Sequence, residues 1–212
     1  MPEKEEAVRK SGKSMFGVRE IAQTGVLSGI AFVLMAVECP LWFAPGFYRL
    51  DLSELPVLIG GFAMGPLAGV MIELIKVLLY FFLHGSSTAG VGDFANFLIG
   101  CSLVVPAAVI YRFHKSRKTA ILGLAVGTLL MTVAGSLLNA YLLLPLYAGA
   151  FHMPLAALIA MGTQVNRAIT DLNSFVFLAV APFNLFKGVL VSCLTVLIYK
   201  KVSPILHGTF RR

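Results

Sequence analysis

The chain has 212 residues, of which 58% are hydrophobic and 13% charged, with a mean hydropathy of +0.87. A water-soluble domain cannot bury that much apolar surface, so this class is excluded first. The net charge of +7 would suit a nucleic-acid binder, but the basic residues gather at the ends of apolar runs instead of forming a patch beside exposed aromatics.

The N-terminal stretch 1–19 mixes both charge signs and precedes an apolar run with no small-residue cleavage site after it, so the first span is expected to stay in the mature protein. Apolar runs follow at 21–37, 52–64, 67–83, 94–111, 120–147 and 175–199. Each is continuous, without the alternation of a half-buried strand, and therefore reads as a helix. The second is short and joined to the third by Gly65-Pro66, which fits either a tight helical hairpin or one broken helix. The expected fold class is an all-α integral membrane protein of six transmembrane helices. Its organisation is a charged N-terminal tail (1–19), a six-helix domain (20–201) and a basic C-terminal tail (202–212).

Lys and Arg orient the bundle. Thirteen of the 17 fall in three segments: Lys4, Arg9, Lys10, Lys13 and Arg19; Arg112, Lys115, Arg117 and Lys118; and Lys200, Lys201, Arg211 and Arg212. With six spans these share one side, and the positive-inside rule makes it the cytoplasm, with both termini there. A multi-pass protein of a bacterial cytoplasmic membrane is the expectation. The segments around 38–50, 84–93 and 148–173 then face outward, and they hold the Gly, Pro, aromatic and polar residues from which a site is built.

Several chemistries lack their motifs. No GxxxxGK[ST] loop is present to cradle ATP phosphates, and no HExxH or GxSxG occurs. Gly90 to Ala95 matches GxGxxA, but a membrane helix precedes it where a dinucleotide site needs a strand. Cys39, Cys101 and Cys193 are odd in number and contain no CxxC, so neither a disulfide framework nor a zinc site is encoded. No catalytic residue, resident cofactor or metal is expected.

The informative residues are polar ones inside the apolar runs. Lys187 stands 13 residues before Lys200, about 20 Å along a helix and too deep to snorkel. Such a lysine contacts a ligand, or else makes a structural ion pair with Glu73 or a helix contact. Asn184 lies one turn before it and Pro182 just above. Asn139 is a second intramembrane amide, either a link between helices or part of a pocket. Glu73 and Lys76, spaced i, i+3, read as a mutual ion pair. Trp42, Phe43, Phe47 and Tyr48 form an interfacial belt or a lid. Gly25 and Gly29 make a GxxxG stripe serving either internal packing or a partner.

Taken together, Leu50-Asp51-Leu52-Ser53-Glu54-Leu55-Pro56, Gly65-Pro66-Leu67-Ala68-Gly69, Ile72-Glu73-Leu74-Ile75-Lys76, Gly85-Ser86-Ser87-Thr88, Gly92-Asp93-Phe94-Ala95-Asn96-Phe97, the stretch Asn139 to Tyr147, and Pro182-Phe183-Asn184 with Lys187-Gly188 resemble the substrate-binding S components of energy-coupling factor (ECF) vitamin transporters. The riboflavin-specific members are the most similar. The resemblance implies capture of riboflavin outside and its delivery to the cytoplasm with a transmembrane coupling subunit and two ATP-binding subunits, the loaded protein toppling within the bilayer. It implies a substrate site of Asn139, Asn184 and Lys187, joined from the matching motifs by Tyr141, Phe183, Gly92, Asn96 and Asp51. It further implies a lid of Trp42, Phe43, Phe47 and Tyr48, and partner docking at Gly25 and Gly29. Asp93 stands where the family more often has Glu, and the docking glycines stand where it more often has alanines. The alternatives are an S component for another vitamin or small heterocycle, a small membrane enzyme with Asp51, Glu73 and Asp93 as metal-binding carboxylates, a membrane scaffold, and a proton-driven carrier titrating at Glu73.

Overall fold

A computed structural model describes residues 17–86, 90–150 and 153–207. The tail 1–16, Ser87 and Thr88 of the fourth motif, and Arg211 and Arg212 lie outside the described residues.

Helix α1 (Val18–Ala36) opens where the Glu20 carboxylate accepts the Gly17 amide at 3.0 Å, satisfying a donor that the first turn leaves unpaired. The chain then forms a short antiparallel ribbon, β1 (Cys39–Pro40) against β2 (Arg49–Leu50), pairing Cys39 with Leu50. Two-residue strands carry no alternating pattern to read, and the architecture is otherwise all-helical, as expected. Next come α2 (Glu54–Met64), α3 (Pro66–Leu83), α4 (Val91–Phe113) and α5 (Arg117–Leu138). A π-helical turn (Asn139–Leu143) joins α5 to α6 (Leu144–Ala150), and α7 (Leu155–Val165) follows. Helix α8 (Leu172–Phe175) passes through a second π-helical turn (Val176–Val180) into α9 (Ala181–His207).

Among the described residues five helices are long and apolar enough to cross a bilayer: Val18–Ala36, Pro66–Leu83, Val91–Phe113, Arg117–Gly149 and Leu172–Tyr199. The remaining run, α2, has 11 residues, about 16 Å and half the hydrocarbon thickness. The Gly65-Pro66 junction resolves as a hairpin. Gly65 takes φ 107°, open to glycine at little cost, and Pro66 starts α3 where a missing N–H is harmless. Gly61 and Gly69 then face each other, and a Cβ at Gly69 would lie 3.3 Å from the Gly61 Cα.

Leu27, Leu58, Phe62, Ile72, Leu103, Leu124 and Val191 build the main core among α1 to α5 and α9. In the tight α4–α5 seam a Cβ at Gly127 would come 2.4 Å from the Leu103 carbonyl oxygen. Small residues of this kind let membrane helices approach closely. The opposite faces carry stripes of exposed apolar residues at helical spacing, such as Val26, Ile30 and Val33 on α1 and Leu129, Val133 and Leu137 on α5. Lipid, not water, suits such faces.

A second core of Leu144, Leu158, Ile169, Phe175 and Val180 packs at one end, with Phe47, Tyr48 and Tyr147 against it. Helix α7 contributes Leu158 to it, a helix not anticipated within the segment 148–173. Asp171 caps α8 by accepting the Ser174 amide at 2.7 Å and its hydroxyl at 2.6 Å, and these hydrogen bonds hold its carboxyl below the usual range.

Candidate functional site

The two π-helical turns share one cause. Pro145 and Pro182 lack an N–H for the carbonyl four residues earlier, and their rings clash with it. The preceding amides reach back one residue further, Leu144 to Asn139 and Ala181 to Val176, which widens each helix by one residue. Beside these turns sit the two intramembrane amides. Asn139 Nδ2 donates to Gly135 O at 2.8 Å, and Asn184 Nδ2 donates to Val180 O at 2.9 Å. Each side chain is thereby fixed in rotation.

Asn139 and Asn184 both line a cavity of about 760 Å³ at the end of the bundle where the segments after α1 and α3 converge with Tyr147 of α6. That volume is ample for a drug-sized molecule. Asp51, Gly92, Asn96, Phe183 and Lys187 line it too, as do Phe47 and Tyr48 of the ribbon loop. Five elements or loops therefore bring nine of the expected residues together. Phe47 stacks parallel to Phe175 with centroids 6.3 Å apart, and Tyr48 packs 5.3 Å from the Phe183 ring. The Tyr48 hydroxyl donates to Asn139 Oδ1. Burial, reinforced by Tyr147, pushes the Tyr48 phenol well above its ordinary range, so it stays a neutral donor.

Three expected residues lie elsewhere. Tyr141 is 80% exposed and off the cavity. Two residues beyond Asn139, it turns to another face of the helix, since successive side chains rotate by about 100°. Trp42 is 90% exposed and rests edge-on against Phe43, which in turn meets Phe186; neither lines the cavity.

Lys187 does not pair with Glu73. Its Nζ lies 2.8 Å from Asp51 Oδ2, both side chains nearly buried. Asp51 Oδ1 also accepts from the amide and hydroxyl of Ser53, so the carboxylate is held from three directions. The predicted Glu73–Lys76 pair is present at 2.7 Å, but Lys76 also meets Glu54 at 3.0 Å. At the cavity mouth Arg49 binds Glu38 at 2.8 Å. Glu38, Arg49, Glu54, Tyr80, His84 and Asp93 are lining residues that sequence reasoning did not place in the site. Glu54 and Asp93 had a usable signal, since each stands in a motif that also holds an expected site residue, Asp51 and Gly92 respectively.

The carboxylates of the enzyme alternative are committed differently: Asp51 to Lys187, Glu73 to Lys76. Among the described residues no three His, Cys, Asp or Glu gather as a metal site. Gly25 and Gly29 edge an outward apolar groove with Val26, Ile30 and Val33, and a Cβ at either would meet nothing within 4 Å. The stripe is not an internal packing seam.

Residues 19–199 match the family model of the ECF transporter substrate-specific component. The riboflavin transporter RibU of Staphylococcus aureus (strain TCH60) is 35% identical over 189 residues, 89% of this chain and 92% of that protein. The riboflavin transporter FmnP of Bacillus subtilis (strain 168) is 34% identical, covering 88% and 93%. A solved structure of the S component of a bacterial ECF transporter superimposes with a TM-score of 0.69 at 33% identity, over 88% of this chain and 96% of that one. A multi-pass helical architecture, a polar cavity at one end and this match across nearly the whole bundle lead to one conclusion: the chain belongs to the substrate-specific components of ECF transporters, which are transport proteins and not enzymes.

Proposed function

We propose that this protein is the riboflavin-capturing subunit of an ECF importer, taking the vitamin from outside and handing it to the cytoplasm with a coupling subunit and two ATP-binding subunits. The observation that carries the reading is the cavity in which Asn139, Asn184, Asp51 and Lys187 meet under Phe47 and Tyr48. An isoalloxazine is a flat apolar plate with an amide-like edge, and its ribityl chain carries hydroxyls. Aromatic walls accept the plate, while Asn side chains both donate and accept toward the edge. Gly92 and Asn96, at the start of α4, add backbone and amide contacts. Riboflavin is favoured over its phosphorylated forms because the lining sets the carboxyl groups Glu38, Asp51 and Asp93 against two cations, Arg49 and Lys187, each already paired with a carboxylate. A phosphate dianion wants an arginine cluster instead.

In this reading the half-length α2 counts as a sixth pass, its buried hairpin with α3 completing six segments between the tails 1–19 and 202–212. Both termini then lie in the cytoplasm of a bacterial cell, and the cavity opens outward. Phe47 and Tyr48 act as the working part of the lid, while Trp42 anchors the loop in the interface. The α1 groove at Gly25 and Gly29 receives the coupling subunit. No nucleic-acid partner is involved.

A subunit without a phosphate-binding loop binds its cargo but cannot concentrate it. Purified chain in liposomes is therefore expected to bind radiolabelled riboflavin without accumulating it, with or without a pH gradient. Accumulation is expected only after coupling and ATPase subunits and ATP are added. Concentrative uptake driven by a pH gradient alone, and lost in Glu73→Gln, would establish the proton-driven carrier instead.

A further inference from the structure

At the floor of the cavity lies a charged cluster of which Glu54 alone lines the cavity, while Glu73 and Lys76 lie behind it. Glu54, Glu73 and Lys76 are at most 1% exposed, on two helices of the α2–α3 hairpin. Lys76 Nζ lies 3.0 Å from Glu54 Oε1 and 2.7 Å from Glu73 Oε1. Both carboxyl groups also crowd one small residue of α4: a Cβ at Gly100 would come 2.4 Å from Glu73 Oε1 and 3.0 Å from Glu54 Oε1. Glu54 Oε2 and both Glu73 oxygens find no hydrogen-bond donor among the described residues.

Two carboxylates facing one ammonium leave an uncompensated negative charge on side chains that are at most 1% exposed. Burial in low dielectric makes that charge costly, and two adjacent carboxylates relieve it by retaining one proton between them. The proton supplies the donor that the orphaned oxygens lack. Among the described residues, Lys187 also faces Glu54 but is already paired with Asp51, and Cys101 of α4 carries no positive charge. We propose that Glu54 and Glu73 share one proton opposite Lys76, and that the neutral triad so formed is the positioning unit for the cavity floor.

The link to the floor runs through Lys76. Its Nζ also donates to Ser53 Oγ and to Asn96 Oδ1, each at 3.2 Å. Ser53 in turn donates to Asp51, the partner of Lys187. One lysine therefore ties the loop before α2, helix α3 and helix α4 to two lining residues, Asp51 and Asn96. Glu73 touches no part of the cavity and acts only through this unit. This positioning role rests on the proposed flavin site; the shared proton does not.

Infrared spectroscopy of the whole purified chain in ester-free detergent tests the proton without any flavin. At about pH 7, where free glutamates are ionised, a protonated-carboxyl stretch that shifts in heavy water is expected. It should vanish in Glu73→Gln and equally in Glu54→Gln, because the single remaining carboxyl then ionises against Lys76. Absence of the band in the unsubstituted chain, or its survival in either Gln variant, overturns the sharing. For positioning, Glu73→Gln should keep riboflavin affinity within about threefold while Glu73→Leu loses about tenfold or more. Equal affinities in those two variants overturn the positioning role. If the unsubstituted chain binds no riboflavin while the band behaves as stated, the flavin reading fails and the shared proton stands.

Discussion

Lys187→Ala is expected to weaken riboflavin binding by about tenfold or more and, at the same time, to lower the thermal stability of the purified chain. The first effect follows from losing a hydrogen bond to a charged group, worth about 1.5 to 3 kcal/mol. The second follows from Asp51, which would remain buried without its partner at 2.8 Å. Removing one member of a buried pair costs about 3 to 5 kcal/mol because the other charge is stranded. The two effects separate in a double variant. Adding Asp51→Asn to Lys187→Ala removes the stranded charge, so the melting temperature should recover most of its loss while the affinity does not. Recovery of both would make Lys187 a structural cation only. Unchanged affinity in the single variant would remove it from the site.

The substitution with the largest expected effect on transport lies far from the cavity. Gly25→Leu with Gly29→Leu should abolish riboflavin uptake in cells while leaving binding in detergent intact. Both positions open onto the outward groove of α1, where an added Cβ meets nothing within 4 Å, so leucines there leave the fold undisturbed. They would instead hold off any helix that packs into the groove, and close packing is what drives helix association in a bilayer. Cell uptake and detergent binding, measured on the same double variant, check this. Full uptake by that variant would move the docking surface elsewhere on the bundle.

The long helices were legible because burial in lipid demands continuous apolar runs, and the ends of α1, α3, α4 and the continuous span Leu172–Tyr199 lie close to the ends of those runs. Helix α2 was harder. Its apolar run is real, but its 11 residues cover half a bilayer, and its apolarity reflects burial among other helices: eight of its residues are buried. Within the site, Asn184 and Lys187 were legible as a pair because one helical turn separates them. The partner of Lys187 was not, since Asp51 stands 136 positions away and only the tertiary fold joins them. The Glu73–Lys76 pair follows from i, i+3 spacing on one helix, whereas Glu54 joins it from across the hairpin. Tyr141 shows the opposite error. Its place in the Asn139-to-Tyr147 motif drew it into the site, and its side chain is exposed and off the cavity.

The account's central claim is that the cavity beneath Tyr48 takes riboflavin. Titrating the purified chain with riboflavin in detergent, and following the quenching of flavin fluorescence by the aromatic walls, tests it most directly. Saturable quenching with one site per chain, at least about tenfold weaker for flavin mononucleotide and weakened likewise by Asn184→Ala, is the predicted result. No saturable quenching by riboflavin, or equal binding by the chain with and without the Asn184 amide, would contradict it.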